Sequence, residues 1–381
     1  MKSKSDMGIL AVAFVWFTTH FGGGFASGRQ LVDFFVSYGW YALITPVLSI
    51  AIVTAVLYYA WSFAAIYKTF DYRAWGNLYF KPFEAIFSNA YEVMYILILL
   101  IASAVAFATG GTVMKQILGT PYVMNTVIVA VFIFFLTIFG AEMVRRAAST
   151  MAVIIIAGMT FIYVANLVTN FPKLLEVIRT APSPKGFVEA FWASMKYAGF
   201  QACAMGAYIA VADALTTRED ARKTSVWGFL INAGVLWLAT AGVLLHYPAI
   251  LQESVPVLYV AAHGGGGAFG TAIVSLLIFL AVISTGVSLI FGGARRIVAF
   301  WGRTRGSSVA GDRKVNIIAS LVYVLITWGI ALFGLIPLIA WCAFGMSGSD
   351  VTAYAIQTAR EHTQRPKVLK AKGEYHGSQS W

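Results

Sequence analysis

Apolar residues run along this chain in long blocks with few polar interruptions, and most blocks show neither strict alternation nor a polar helical stripe. About 20 consecutive apolar residues cross a bilayer as a helix. The pattern predicts ten such spans, at 7–36, 40–66, 86–113, 122–140, 150–169, 188–215, 224–246, 268–298, 315–333 and 336–357. The first breaks in its middle: Ile9–Phe21 is apolar, but Gly22-Gly23-Gly24 and then Gly28 interrupt it before helical character resumes through Val32–Phe35. In hydrocarbon, unpaired backbone groups are tolerated only where protein or a watery cavity covers them. A broken span therefore predicts a ligand site near the bilayer midplane.

The sixth span is irregular too, with Gly199 and Gly206 bracketing the stretch Gln201-Ala202-Cys203-Ala204-Met205. Two broken spans five apart suggest two five-helix copies, 7–169 and 188–357, followed by a basic tail at 358–381. An odd number of helices per copy makes the second insert upside down, so the two breaks would face each other at the centre. The third and eighth spans are both long, as tilted scaffold helices would be. The competing reading is that these glycines only permit close helix packing.

Composition and charge narrow the class. The chain is 59% hydrophobic and 11% charged, with mean hydropathy +0.77, which leaves no soluble domain of useful size. Most of the 27 Lys and Arg residues fall in the N-terminus, alternate loops and the tail, against Lys115, Lys173, Arg179 and Lys185 on the other side. The positive-inside bias then places both termini in the cytoplasm, with a bacterial inner membrane as the expected location. The +11 net charge reads as an orientation signal and not as a nucleic-acid surface. A signal peptide ending near Ala26-Ser27-Gly28 is not expected, because the span runs on past the glycines. Cys203 and Cys342 lie at membrane depth and read as packing residues. The Gly264–Gly267 run lacks the Lys-Ser/Thr of a phosphate cradle, and no catalytic triad or metal-ligand cluster appears, so an enzyme is not expected.

Three segments carry a resemblance. Thr18-Thr19-His20-Phe21-Gly22-Gly23-Gly24-Phe25-Ala26-Ser27-Gly28 resembles the unwound first helix of the LeuT-type fold of the amino acid–polyamine–organocation superfamily. It is most similar to the G-x-G-F-A-S-G-Q-E pattern of the YkvI-type membrane proteins, although this chain has Arg29-Gln30 where that pattern has Gln-Glu. The Gly199–Gly206 break, followed by Thr217-Arg218-Glu219-Asp220, is similar to the end of the sixth helix of that fold. Ile278–Thr285 resembles the eighth-helix strip that holds sodium in sodium-coupled members. The resemblance implies an all-α membrane protein of ten transmembrane helices in a 5+5 inverted repeat, with helices 1 and 6 broken.

Site chemistry follows from the breaks. A half-helix starting near Gly24 would point free N–H groups and a positive dipole end at an electron-rich group. The carbonyls of Thr18 and Phe21, ending the preceding half-helix, suit a cation or an ammonium group. The expected solute site comprises Thr19, His20, Gly22, Gly23, Gly24, Phe25, Ala26 and Ser27 with Gly199, Phe200, Gln201 and Gly206. By analogy with the fold, the carbonyls of Thr18, Phe21 and Ala281 with the hydroxyls of Ser284 and Thr285 would form a sodium site. Alternatively, Ser284 and Thr285 bond back to carbonyls one turn earlier.

Ionisable residues at membrane depth are costly and usually functional. His20 could carry a proton, bond the solute or pack as a hydrogen-bonded core residue. Arg29 and Asp33 are i, i+4 and can pair; in the family's logic an arginine there guards the outer entrance, yet Asp350 sits toward the wrong end of the tenth span to be its partner. Lys196 could be a fixed cation in place of a coupling ion, or could snorkel outward. Asn89, Glu92 and Asp213 suit polar networks on the cytoplasmic side. The expected function is secondary active transport of a small organic solute, an amino acid or related amine, by alternating access with sodium or proton coupling and no other cofactor. The alternative is a solute-sensing membrane protein of the same fold without net transport. The sequence leaves the oligomeric state open.

Overall fold

A computed structural model describes residues 2–138, 141–180, 182–253, 255–263, 267–305, 313–334 and 338. The tenth predicted span, the basic tail, Asp350, Cys342 and Gly264–Gly266 lie outside them.

Helix α1 (Lys2–His20) ends where the apolar run meets glycine. Phe21 and Gly22 are non-helical, Gly22 being extended (φ −81, ψ −174), and a single turn α2 (Gly23–Ala26) follows. Gly28 adopts φ +84, a left-handed conformation open to glycine, and starts α3 (Arg29–Phe34). The first span thus bends twice, at Phe21–Gly22 and at Ser27–Gly28.

Helix α4 (Thr45–Tyr67) begins with Pro46, whose missing N–H is harmless in a first turn. A short amphipathic helix α5 (Tyr72–Tyr79) follows, its start capped by Asp71, which accepts from the amides of Arg73 and Ala74. Helix α6 (Glu84–Leu118) has 35 residues. At 1.5 Å per residue it spans about 52 Å, well beyond the hydrocarbon thickness, so it must tilt. Helices α7 (Tyr122–Thr137) and α8 (Ala141–Thr169) complete the first five spans, and α9 (Phe171–Thr180) is a further amphipathic helix.

The sixth span is α10 (Phe187–Cys203), an interruption at Ala204 (φ −76, ψ 1), α11 (Met205–Ile209) and a 3-10 turn at Ala212–Ala214. Its break is narrower than the bracketing glycines suggest, because Gly199 and Gly206 are both helical. Thr217-Arg218-Glu219-Asp220 opens α12 (Arg218–Leu244) and does not end the sixth span. The Thr217 hydroxyl accepts the Asp220 amide hydrogen while the Asp220 carboxylate accepts that of Thr217, a capping box. A 3-10 turn at Ala249–Gln252 and α13 (Pro256–His263) then precede the 39-residue α14 (Gly267–Arg305) and α15 (Arg313–Ala331). No strand occurs among the described residues.

Six described helices are long and apolar enough to cross a membrane: α4, α6, α8, α12, α14 and α15. Helix α7 and the apolar part of α1 are shorter. The two broken spans lie inside the bundle. Trp16 of α1 packs against Gly228 of α12, where no larger residue would fit, and meets Trp61 of α4 edge to face at 5.9 Å. The Trp61 indole donates to the Tyr208 carbonyl of α11 at 3.2 Å, and Ser49 of α4 meets Ser194 of α10 hydroxyl to hydroxyl at 2.8 Å. Trp16 so fastens the first broken span to α4 and α12, and Trp61 fastens the sixth to α4.

Candidate functional site

A cavity of about 40 Å³ lies where the two breaks face each other. The first span contributes Thr19, His20, Gly22, Gly23, Gly24 and Gln30; the sixth, Phe200, Gln201, Ala204 and Tyr208. Ile98, Ala102 and Val105 of α6, with Thr285 and Leu289 of α14, form the remaining wall. Among the described residues no Asp, Glu, Lys or Arg lines it. Of the sequence-predicted solute residues, Phe25, Ala26 and Ser27 are buried behind this surface: Phe25 packs on Phe21 and on the His20 ring, and Ser27 donates its hydroxyl to the Gly24 carbonyl. Gly199 faces away from the cavity and is exposed. Gly206 sits behind it, its amide donating to the Tyr91 hydroxyl at 2.7 Å.

The glycines of the first break differ in what surrounds them. A Cβ at Gly23 would lie 2.5 Å from the Thr109 hydroxyl and 3.1 Å from the Val105 carbonyl, so α6 presses directly on this backbone. A Cβ at Gly24 would meet the Gln30 side chain, which folds back over Gly24. At Gly22 it would meet the Thr285 methyl at 3.1 Å.

Thr285 lies against the end of α1. Its hydroxyl donates across the bundle to the Thr18 carbonyl at 2.5 Å and reaches the Phe21 carbonyl at 3.4 Å. Ser284 bonds back one turn to the Ala281 carbonyl at 3.0 Å, as a serine in a membrane helix commonly does. Thr285 does not follow that habit. The carbonyls of Thr18, in the last turn of α1, and of Phe21, just beyond it, thus lie within reach of the Thr285 hydroxyl, while the neighbouring Ser284 hydroxyl is bonded to the Ala281 carbonyl. A hard cation wants neutral oxygens; Thr18, Phe21 and Thr285 bring theirs within reach of one another, whereas those of Ala281 and Ser284 are paired together. Among the described residues no cluster of His, Cys, Asp or Glu could hold a metal instead.

His20 is buried and bonded at both ring nitrogens: Nδ1 to Asn232 Oδ1 and Nε2 to the Tyr197 hydroxyl, each at 2.7 Å. Asn232 gives its amide hydrogen to the Gly228 carbonyl, which turns its oxygen to His20. Nδ1 therefore carries the proton and Nε2 accepts from Tyr197. Both partners are neutral, and they hold the imidazole between α12 and α10 at the cavity edge.

Arg29 lies on the far half of the first span. It makes a bidentate pair with Asp33 (2.6 and 3.2 Å), and its other nitrogen donates to the carbonyls of Leu251 and Glu253, both at 3.1 Å. It therefore anchors α3 to the segment between α12 and α14. The same segment supplies Val257, whose amide donates to the Ser27 carbonyl at 3.1 Å and which packs on Gly28. Lys196 is partly exposed on α10 and does not line the cavity.

On the N-terminal face, Glu92 of α6 pairs with Arg73 of α5 at 2.6 Å and with Arg296 of α14, and Arg73 also donates to Asn89. Gly8 of α1 touches Ala214, the Thr224 hydroxyl donates to the Ile9 carbonyl, and Lys68 donates to the Thr216 carbonyl at 2.8 Å. Contacts therefore lie on both sides of the cavity.

Sequence reasoning missed Gln30, Tyr91, Tyr197, Tyr208 and Asn232. Polar residues in apolar helices were the available signal, but nothing local says which of them face inward.

No protein-family profile matches the chain. An aminopentol aminotransferase from Sphingopyxis macrogoltabida is 43% identical over 51 residues, which is 13% of this chain and 12% of that protein. The likeness covers only that short segment. Solved structures align over almost the whole chain. A Na+-coupled sialic acid symporter in its substrate-bound outward-open state has a TM-score of 0.63 at 11% identity, over 92% of this chain and 75% of that one. MhsT in complex with L-phenylalanine has a TM-score of 0.53 at 14% identity, over 93% and 87%. The Eremococcus coleocola manganese transporter, bound to an aromatic bis-isothiourea compound, has a TM-score of 0.53 at 12% identity, over 92% and 78%. At such identities the likeness is one of fold: the chain is a multi-pass, all-α membrane protein of LeuT type with its first and sixth spans broken.

Proposed function

We propose that this protein is a secondary active transporter of a small organic solute, an amino acid or related amine, working by alternating access. One observation carries the reading: the two interrupted spans meet at a buried cavity, and Thr285 touches the carbonyl end of the first interruption. An interruption costs backbone hydrogen bonds in a medium without water. It persists where the freed groups serve a ligand. Here the spans carrying it are also the ones able to hinge, at Phe21–Gly22, Ser27–Gly28 and Ala204.

Alternating access then requires one set of contacts to open at a time. On the far face these are Arg29 with the Leu251 and Glu253 carbonyls and Val257 with Ser27; on the N-terminal face, Trp61 with Tyr208 and Lys68 with Thr216. With the basic loops inside, the N-terminal face is cytoplasmic, the protein resides in a bacterial inner membrane, and the halves 7–169 and 188–357 form the inverted repeat. The Phe25-Ala26-Ser27-Gly28 sequence, which resembles that of the YkvI-type membrane proteins, supports a kinship with that group. Sodium is the favoured coupling ion because the Thr18, Phe21 and Thr285 oxygens meet at one place, whereas His20 is enclosed by neutral partners. The solute would fasten its polar end to the backbone at Gly22–Gly24 and rest its body between Phe200 and the α6 wall.

Reconstitution into proteoliposomes tests this. A sodium or proton gradient should drive saturable uptake of at least one amino acid or amine. Saturable binding without flux would favour the sensor, and neither binding nor flux would end both readings.

A further inference from the structure

Two hydroxyls at the cavity, those of Thr19 and Tyr208, are buried without hydrogen-bond partners among the described residues. Beside them lies the Gln30 carboxamide: the residue is 5% exposed, lies over Gly24 and lines the cavity. Leaving such groups unpaired is unfavourable in a buried site, which makes them receptors for something that pairs with them. On the facing side the wall is apolar, from Ile98, Ala102, Val105 and Leu289.

We infer that Gln30, with Thr19 and Tyr208, selects a solute bearing an uncharged, hydrogen-bonding side group such as a carboxamide or hydroxyl. This rests on the proposed transport of amino acids and names the kind. The argument is by elimination of charge and of apolarity. A charged side group would lose its hydration here, because no Asp, Glu, Lys or Arg among the described residues lines the cavity to repay it. An apolar one would leave the Thr19 and Tyr208 hydroxyls unsatisfied and offer the Gln30 carboxamide nothing to bond. A carboxamide both donates and accepts, and so do hydroxyls. Gln30 is thus matched to a second carboxamide or hydroxyl.

Gln30 also covers the site. A volume of about 40 Å³ holds a few waters at most and no amino acid. The Gln30 side chain lies where a solute seated on Gly24 would go, and its flexible chain can swing aside. Entry of the solute would give the Gln30 carboxamide a partner within it.

The test is equilibrium binding to the full chain in nanodiscs, with sodium, of four amino acids of similar length: glutamine, glutamate, methionine and lysine. Glutamine should bind tightest, on the order of 100-fold over glutamate and lysine, since sites built on hydrogen bonds reject mismatched groups strongly. Gln30→Leu should reverse the glutamine to methionine preference. Should that variant fail to elute as a single species, Gln30→Asn, one methylene shorter, should weaken glutamine selectively and leave methionine unchanged. Tightest binding of methionine or of a charged member, an unchanged preference in the variant that folds, or no binding of any of the four at millimolar concentration would overturn the inference. The transport reading is judged separately, by gradient-driven flux of any solute and its loss in Gly24→Val.

Discussion

The Tyr91 hydroxyl accepts the Gly206 amide hydrogen at 2.7 Å and also donates to the Cys203 carbonyl at 3.3 Å, so one side chain from α6 bridges the interruption at Ala204. A scaffold helix therefore supplies what the broken helix lacks. Tyr91→Phe would strand both backbone groups at a cost of about 1–3 kcal/mol. The expected result is a lower thermal midpoint together with weaker solute binding. Normal stability and affinity in Tyr91→Phe would mean that the break holds itself.

Sodium coupling places its weight on Thr285. Sodium a hundredfold above its dissociation constant should stabilise the protein by about 2.7 kcal/mol. Thr285→Ala should remove that stabilisation, read as the sodium-dependent shift in thermal unfolding, while the protein still purifies as a single species. A full sodium response in the variant would move the ion elsewhere and turn attention to proton coupling at His20.

Three glycine substitutions should separate the site from its surroundings. Gly24→Val overlaps the Gln30 side chain and should eliminate solute binding while insertion and purification stay normal. Gly23→Ala presses on the Val105 carbonyl and Thr109, which cannot yield easily, and should lower stability as well. Gly199→Ala meets nothing within 4 Å and should be nearly silent. Wild-type affinity in Gly24→Val would place the solute away from this break.

Arg29 should control access from the far face. Arg29→Ala removes the hydrogen bonds to the Leu251 and Glu253 carbonyls, leaving that segment less firmly docked on α3. With both native cysteines replaced, Val257→Cys is a buried reporter, since Val257 is 1% exposed. A membrane-impermeant maleimide added outside should label it several-fold faster when Arg29 is Ala. Equal labelling rates would show that Arg29 does not hold the far side shut.

The sequence by itself determined the membrane class, the placing of the first nine spans and the first interruption. These are local properties: hydrocarbon demands about 20 apolar residues per helix, and a run of three glycines followed by Gly28 cannot keep a helix regular. What it could not decide was direction. Gly199 and Gly206 both look like hinge residues, yet the chain bends at Ala204, because Tyr91 from α6 satisfies the backbone there and nowhere else in that stretch. Gln30 is a polar residue among apolar ones in the sequence; only the turn at Gly28 folds it back over Gly24 and into the cavity. His20 likewise becomes a fixed, neutral strut only because Asn232 and Tyr197, 212 and 177 residues away, converge on its two nitrogens. Backbone irregularity is written locally, whereas the partners that satisfy freed groups come from distant helices, and their approach is set by packing.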